Sequence, residues 1–356
     1  MQTADQPNSN FKTRVLRFLG LTNRPHIRIY HGYGYSGQMS LYGHVLKLGP
    51  VPRKRYRKSI IHNTLALLRL FLVKPIKNCR VYLEWNGRKI ETFTEADGFF
   101  KIDWQGSMEL SSGWIKVPVF AEIHGQTVSE TGKIFLPYQT QYGFISDIDD
   151  TFLISHSSNM RKRLFVLFTQ NARSRKPFEG VVHHYQALSK SFTNSQNPNP
   201  FFYVSSSEWN LYDYILEFTR INELPEGVFL LNQLKVFSQL LKTGQNNHQT
   251  KFTRIVRILE AYPNQRFILL GDSSQQDPYI YEAIVKHFPR QIHAVYIRDV
   301  REKNREPAGA VLQRIEAAGV PCCFFKHSSD AILHSRKIGL LSTQEAAKEL
   351  SKQSEP

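Results

Sequence analysis

Cysteine is scarce. Three occur in 356 residues, Cys79, Cys322 and Cys323. That is too few for a disulfide framework, and none has the CxxC spacing of a zinc site. Cys322 and Cys323 follow Pro321 in an apolar run ending in Phe324 and Phe325, so they read as small core residues and fit a reducing compartment. Long apolar runs are missing as well. No stretch approaches the roughly 20 residues that a bilayer span needs. Arg14 and Arg17 interrupt the N-terminal apolar run where a secretory leader would need continuity. The expected location is cytoplasmic, or peripheral to a membrane. Carboxylates are in deficit, with 30 Asp and Glu against 46 Lys and Arg and a formal net charge of +16. Such an excess favours polyanionic partners (nucleic acid, an anionic membrane surface or a phosphorylated substrate), the alternative being solubility alone. What is present is an ordinary globular composition, 41% hydrophobic and 21% charged. It argues against global disorder and, at this length, for two domains with separate cores.

Residues 1–25 are expected to be a polar tail followed by a short basic amphipathic helix. There Phe11, Val15, Phe18 and Leu19 recur at helical spacing among Lys12, Arg14 and Arg17. From 26 to 140 the pattern predicts a smaller β-sandwich-like domain. Strand candidates at 27–30, 80–85, 89–93, 98–102, 115–123 and 126–135 are separated by turn signals such as Asn86-Gly87, Asp97-Gly98 and His124-Gly125. The stretch from His31 to Tyr35 reads as a glycine-rich turn. Within this domain the basic cluster from Arg53 to Lys58 leads into the apolar run from Ser59 to Val73, predicting a basic apolar helix over 53–74. Two readings of it are open: a helix lying on a membrane with its cations toward lipid headgroups, or one buried against the sandwich.

From 141 to 335 short apolar runs at 143–148, 201–205, 266–270 and 294–297 alternate with helical stretches at 160–172, 179–191, 208–219, 249–261, 278–288 and 308–318. This alternation predicts an α/β fold, a doubly wound parallel sheet of Rossmann-like type. Residues 336–356 read as a polar tail. In such sheets the active site lies at the carboxyl ends of the strands. Asp147-Ile148-Asp149-Asp150-Thr151 follows the first strand and Ser205-Ser206-Ser207 the second. Gly271-Asp272-Ser273, leading on to Asp277, follows the third, and Lys251 opens the helix ahead of it. Crowded carboxylates are costly unless a cation neutralises them. An oxygen-only set without histidine or cysteine suits Mg²⁺.

These stretches resemble the haloacid dehalogenase (HAD) superfamily of phosphohydrolases, whose first motif is D-x-D-x-T. Within it, Ser146 to Thr151, Tyr203 to Trp209, Phe267 to Ser273 and Asp277 to Tyr281 are similar to the phosphatidate phosphatases related to the yeast actin-patch protein. The resemblance implies a HAD-like fold and Mg²⁺-dependent hydrolysis of phosphatidate to diacylglycerol and phosphate. It implies Asp147 as the nucleophile that forms an aspartyl-phosphate, and Asp149 as the acid that protonates the leaving group and then deprotonates water. It also implies Mg²⁺ held by the Asp147 and Asp272 carboxylates and the Asp149 carbonyl, with Ser205 and Lys251 on the phosphoryl oxygens and Thr151, Ser273 and Asp277 in support. Lys242 competes with Lys251 for the lysine's place. Between Thr151 and Ser205 there is room only for a minimal cap, a flap and two helices, which leaves the site open to bulky or membrane-embedded substrates. Arg161, Lys162, Arg163, Arg173, Arg175 and Lys176 around Leu164 to Phe168 read either as a docking face for an anionic bilayer or as a solvated basic face. Two alternatives stand beside phosphatidate hydrolysis: a HAD phosphatase acting on nucleic-acid ends or another bulky phosphomonoester, and a non-catalytic membrane adaptor. Protein partners and oligomeric state are not encoded in any feature of the sequence.

Overall fold

A computed structural model of the chain describes residues 14, 16, 20–35, 37–50, 68–106, 111–138, 140, 142–148, 177–236, 247–274 and 276–342. Most of the expected 11–21 helix, the cluster from Arg53 to Lys58, the helix expected at 160–172 and its basic residues all lie outside them.

Among the described residues ten strands build the first sheet: β1 (Leu21–Thr22), β2 (His26–Ile29), β3 (Gly32–Tyr35), β4 (Gln38–Pro50), β5 (Lys74–Pro75), β6 (Arg80–Trp85), β7 (Arg88–Phe93), β8 (Phe99–Gln105), β9 (Gly113–Ile123) and β10 (Gln126–Leu136). Their order is β1-β4-β3-β10-β9-β6-β7, and the long β4 also pairs with β2, β5 and β8. The β9–β10 hairpin closes through His124-Gly125 with both φ angles positive, as do Asn86-Gly87 between β6 and β7. Such turns match the right-handed twist of the strands they join. Alternate residues of these strands, among them Leu41, Val81, Leu83, Phe100, Ile102, Val117 and Val119, point into one core.

The expected glycine-rich turn at 31–35 is instead a strand, β3. A Cβ on Gly32 would lie 2.2 Å from the Ser40 carbonyl oxygen, and one on Gly34 would lie 2.3 Å from both Leu136 and Met39 side-chain atoms. These glycines mark close approach of packed backbones rather than a reversal of the chain.

The second sheet has six strands among the described residues, β11 (Tyr142–Ser146), β12 (Phe201–Glu208), β13 (Gly227–Asn232), β14 (Arg266–Asp272), β15 (Ile292–Arg298) and β16 (Cys322–Phe325). Their order is β13-β12-β11-β14-β15-β16, and every neighbouring pair is parallel. The described helices are α1 (Val181–Lys190), α2 (Tyr212–Ile221), α3 (Asn247–Ala261), α4 (Asp277–His287), α5 (Glu302–Ala317) and α6 (Ser328–Lys337). This half of the chain is therefore α/β with a parallel sheet. Strands β13 and β16, at the two edges, add to the four read from the sequence. Helix α5 begins at Glu302, six residues before the expected start, because it accommodates Pro307 in its second turn. Packing continues past residue 335, with α6 running to Lys337 and Leu340 and Leu341 buried.

The two sheets share a core. Tyr30, Tyr33, Tyr42 and Leu46 pack in one cluster with Phe202, Trp209 and Tyr212. Tyr30 stacks on Trp209 at 4.0 Å between ring centroids, and the Arg28 guanidinium pairs with Asp213 at 2.7 Å. The His31 N–H donates to the Tyr212 hydroxyl at 3.0 Å, and its imidazole bonds the Gly227 carbonyl at 3.1 Å. Burial pushes that imidazole down to about 4. Leu70, Phe71 and Val73, the end of the expected basic apolar helix, are buried in this shared core, which at that end fits the buried reading.

Candidate active site

Strand β11 lies between β12 and β14, where the strand order reverses, and open α/β sheets place their ligands at the carboxyl ends of strands at such a point. Asp147 follows β11 directly, and its N–H donates to the Leu270 carbonyl at 2.8 Å, continuing the ladder toward β14. Asp272 ends β14 and Asp277 opens α4. Carboxylate oxygens of Asp147, Asp272 and Asp277 all lie within 4.8 Å of one another, and all three residues are buried. Gly271 is what lets Asp277 close in, since a Cβ there would sit 2.6 Å from its carboxylate.

Lys251 enters the cluster from α3 with 2% of its surface exposed. A lysine is seldom buried so fully unless its charge is paired. Its ammonium lies 2.9 Å from Asp147 Oδ1 and also pairs with Asp277 Oδ1. Burial alone would lower its pKa, but Asp147 and Asp277 outweigh that and hold it above the ordinary lysine value. The opposite holds at Asp272. Burial, then the neighbouring Asp277 charge, push its carboxyl up to about 7, against the Ser274 N–H that donates to it at 2.5 Å and the nearby Lys251. Three buried carboxylates against one ammonium leave negative charge in a low-dielectric pocket. That donor set of hard oxygens fits a divalent cation such as Mg²⁺.

Ser205 reaches the same rim through an irregularity in β12. Val204 is in register with Leu230, and Glu208 with Asn232, so three residues on β12 face one on β13. The bulge lifts Ser205 to Ser207 out of the ladder. The Ser205 hydroxyl accepts the Ser207 N–H at 2.9 Å. Ser273 braces the loop after β14. Its N–H donates to the Arg298 carbonyl at 2.9 Å, its hydroxyl accepts the Val300 N–H at 3.1 Å, and its carbonyl accepts the Asn304 side chain at 2.5 Å. The Ser146 hydroxyl donates to the Asp147 carbonyl at 2.7 Å and meets the Tyr185 hydroxyl at 2.9 Å.

The structure thus brings Asp147, Asp272, Asp277 and Lys251 together. Asp149, Thr151 and Lys242 lie outside the described residues. Tyr185 and Arg254 border the site without having been read from the sequence. Arg254 follows Lys251 by three residues on one helix, which is a legible spacing, whereas nothing in linear sequence ties Tyr185 on α1 to Ser146.

Residues 142–299 match the family described as phosphatidate phosphatase APP1, catalytic domain. That segment of the chain resembles a phosphatase catalytic domain. Phosphatidate phosphatase APP1 of Saccharomyces cerevisiae is 32% identical over 180 residues, covering 50% of this chain and 29% of that protein. An uncharacterized Schizosaccharomyces pombe protein is 23% identical over 158 residues, covering 44% of this chain and 25% of that one. The chain spans less than a third of the length of either curated relative. Among solved structures, a bacterial immunoglobulin-like domain from the M. primoryensis ice-binding adhesin covers 32% of this chain and 96% of its own, at 15% identity and a TM-score of 0.19. A carbohydrate acetylesterase from Xanthomonas citri covers 88% of this chain and 75% of its own, at 8% identity and a TM-score of 0.27. Scores this low bear on neither fold nor function.

Proposed function

We propose that this chain is a Mg²⁺-dependent phosphatidate phosphatase with a HAD-like, doubly wound catalytic domain and a minimal cap. It would hydrolyse phosphatidate to diacylglycerol and phosphate through an aspartyl-phosphate on Asp147. One observation carries the reading: within the segment matched to the phosphatidate phosphatase family, buried Asp147, Asp272 and Asp277 converge with Lys251 at the carboxyl end of a parallel sheet. The organisation proposed with it is a sandwich-like domain over 26–140 and a catalytic domain from 141.

Asp147 is the nucleophile. Its carboxylate attacks phosphorus in line, the phosphorus–oxygen bond to diacylglycerol breaks, and the acyl phosphate forms. The Lys251 ammonium, held beside the attacking carboxylate, orients it and meets the phosphoryl oxygens together with the Ser205 hydroxyl as negative charge shifts in the transition state. By resemblance, Asp149 protonates the leaving alkoxide and then takes the proton of the hydrolytic water. Asp147, Asp272 and the Asp149 carbonyl would hold Mg²⁺, which supplies charge neutralisation at the transferred phosphoryl group. Asp277 keeps Lys251 in place, and Thr151 and Ser273 support the loops. Among the described residues no helix is long and apolar enough to cross a membrane. The chain's net charge of +16 supports attraction to an anionic surface.

The test is phosphate release from phosphatidate in mixed micelles, with Mg²⁺ or EDTA, beside soluble and nucleic-acid phosphomonoesters. Magnesium-dependent release that prefers phosphatidate is expected. Turnover of nucleic-acid ends alone would keep the chemistry and discard the lipid, and no turnover on any substrate would favour the adaptor.

A further inference from the structure

The irregularity in β12 sets the Ser205 backbone carbonyl within reach of a side-chain donor on α3. Buried backbone carbonyls are paired in folded proteins, and a side chain can supply the donor where a ladder is irregular. Here the donor is Arg254, whose Nη1 donates to the Ser205 carbonyl at 3.0 Å and whose Nη2 donates to the Asn232 side-chain oxygen, at the end of β13, at 3.2 Å. One planar guanidinium thus spans the two strands whose register breaks at the bulge. Arg254 also lies three residues beyond Lys251 on α3, so the two side chains project from the same side of one rigid helix.

We propose that Arg254 is a positioning residue of the phosphate site, clamping the Ser205 bulge to the helix that carries Lys251 and so fixing the serine hydroxyl relative to the lysine ammonium. This rests on the reading of Ser205 and Lys251 as the pair that meets the phosphoryl oxygens. Arg254 touches no substrate in this account. It sets the distance between two groups on separate elements that must act on one phosphoryl group.

The experiment compares the full chain with Arg254→Met and Arg254→Lys, and with Arg257→Met as a control one turn further along α3, where the side chain is exposed. With Mg²⁺ present, kcat and KM are measured on para-nitrophenyl phosphate, product inhibition is measured with inorganic phosphate, and thermal unfolding is followed in parallel. Arg254→Met should weaken phosphate inhibition and raise KM by about tenfold to a hundredfold. Arg254→Lys, which keeps the charge but lacks the planar fork that spans the two strands, should fall between it and the parent, and Arg257→Met should match the parent. If the methionine variant does not fold, the lysine variant decides: a raised KM at an unchanged unfolding midpoint supports the clamp. Unchanged phosphate inhibition in a folded Arg254 variant would overturn it, as would losses that track the unfolding midpoint alone. A parent protein that hydrolyses no phosphomonoester would instead sink the underlying reading of the site.

Discussion

Replacing Lys251 with methionine removes one buried cation and keeps most of the side-chain volume. In the metal-free protein its ammonium is the partner of Asp147 and Asp277, both 1% exposed, with Asp272 within 4.8 Å of them. Lys251→Met therefore leaves three buried carboxylates crowded together without the ammonium that pairs with two of them. Breaking a buried pair by removing one partner costs about 3–5 kcal/mol. For a domain of roughly 200 residues that lowers the unfolding midpoint by roughly 6–20 °C. The assay is urea and thermal unfolding in EDTA at pH 9, because Asp272, pushed up to about 7 even with Lys251 beside it, rises further without the lysine and would relieve the penalty by taking up a proton at lower pH. Saturating Mg²⁺ should recover part of the loss, because a divalent cation neutralises the same groups. Adding Asp147→Asn to Lys251→Met should recover part of it too, and that double-mutant coupling is the sharper check. A Lys251→Met protein that unfolds within about 0.5 kcal/mol of the parent in EDTA would refute the reasoning.

Acid should weaken the fold through its buried imidazoles. Burial pushes His184 down to about 3, while the unfolded chain's imidazole titrates near 6.5, so the unfolded state binds the extra proton and stability falls as pH drops below 6.5 toward 3. By pH 5 the loss from His184 is about 2 kcal/mol, and His184→Gln should flatten that part of the curve in urea midpoints taken from pH 7.5 to 5. At the seam between the sheets, Tyr30→Ala removes the ring stacked on Trp209 and should cost about 3–5 kcal/mol in urea unfolding. A loss under about 1 kcal/mol there would mean the shared core does not hold the two sheets together.

Much of the fold is legible because its signals are local. Asn86-Gly87 and His124-Gly125 specify hairpin turns by themselves, and four buried strands of the parallel sheet announce themselves as short apolar runs. Val228 to Leu231 is a run of the same kind, bounded by Gly227 and Asn232, and β13 is readable on that ground. Gly32 and Gly34 mislead because the same residue serves a turn and a close strand contact, and only the neighbouring strands decide between them. At the site, the strand-end rule applied to Asp147, Ser205 and Asp272 locates the rim. The clamp from Arg254 to Ser205 is different. Its partners are 49 residues apart, and its reason is a register break that no periodicity reveals. Gly271 is likewise explained only when Asp277 is seen packed against it.

The most direct test of the account is phosphate release from phosphatidate micelles by the parent chain and by Asp147→Asn, each with Mg²⁺ and with EDTA. The account predicts release by the parent in Mg²⁺ alone and none by Asp147→Asn, with the variant still folded. Hydrolysis that persists in Asp147→Asn, or that is indifferent to EDTA, would contradict it.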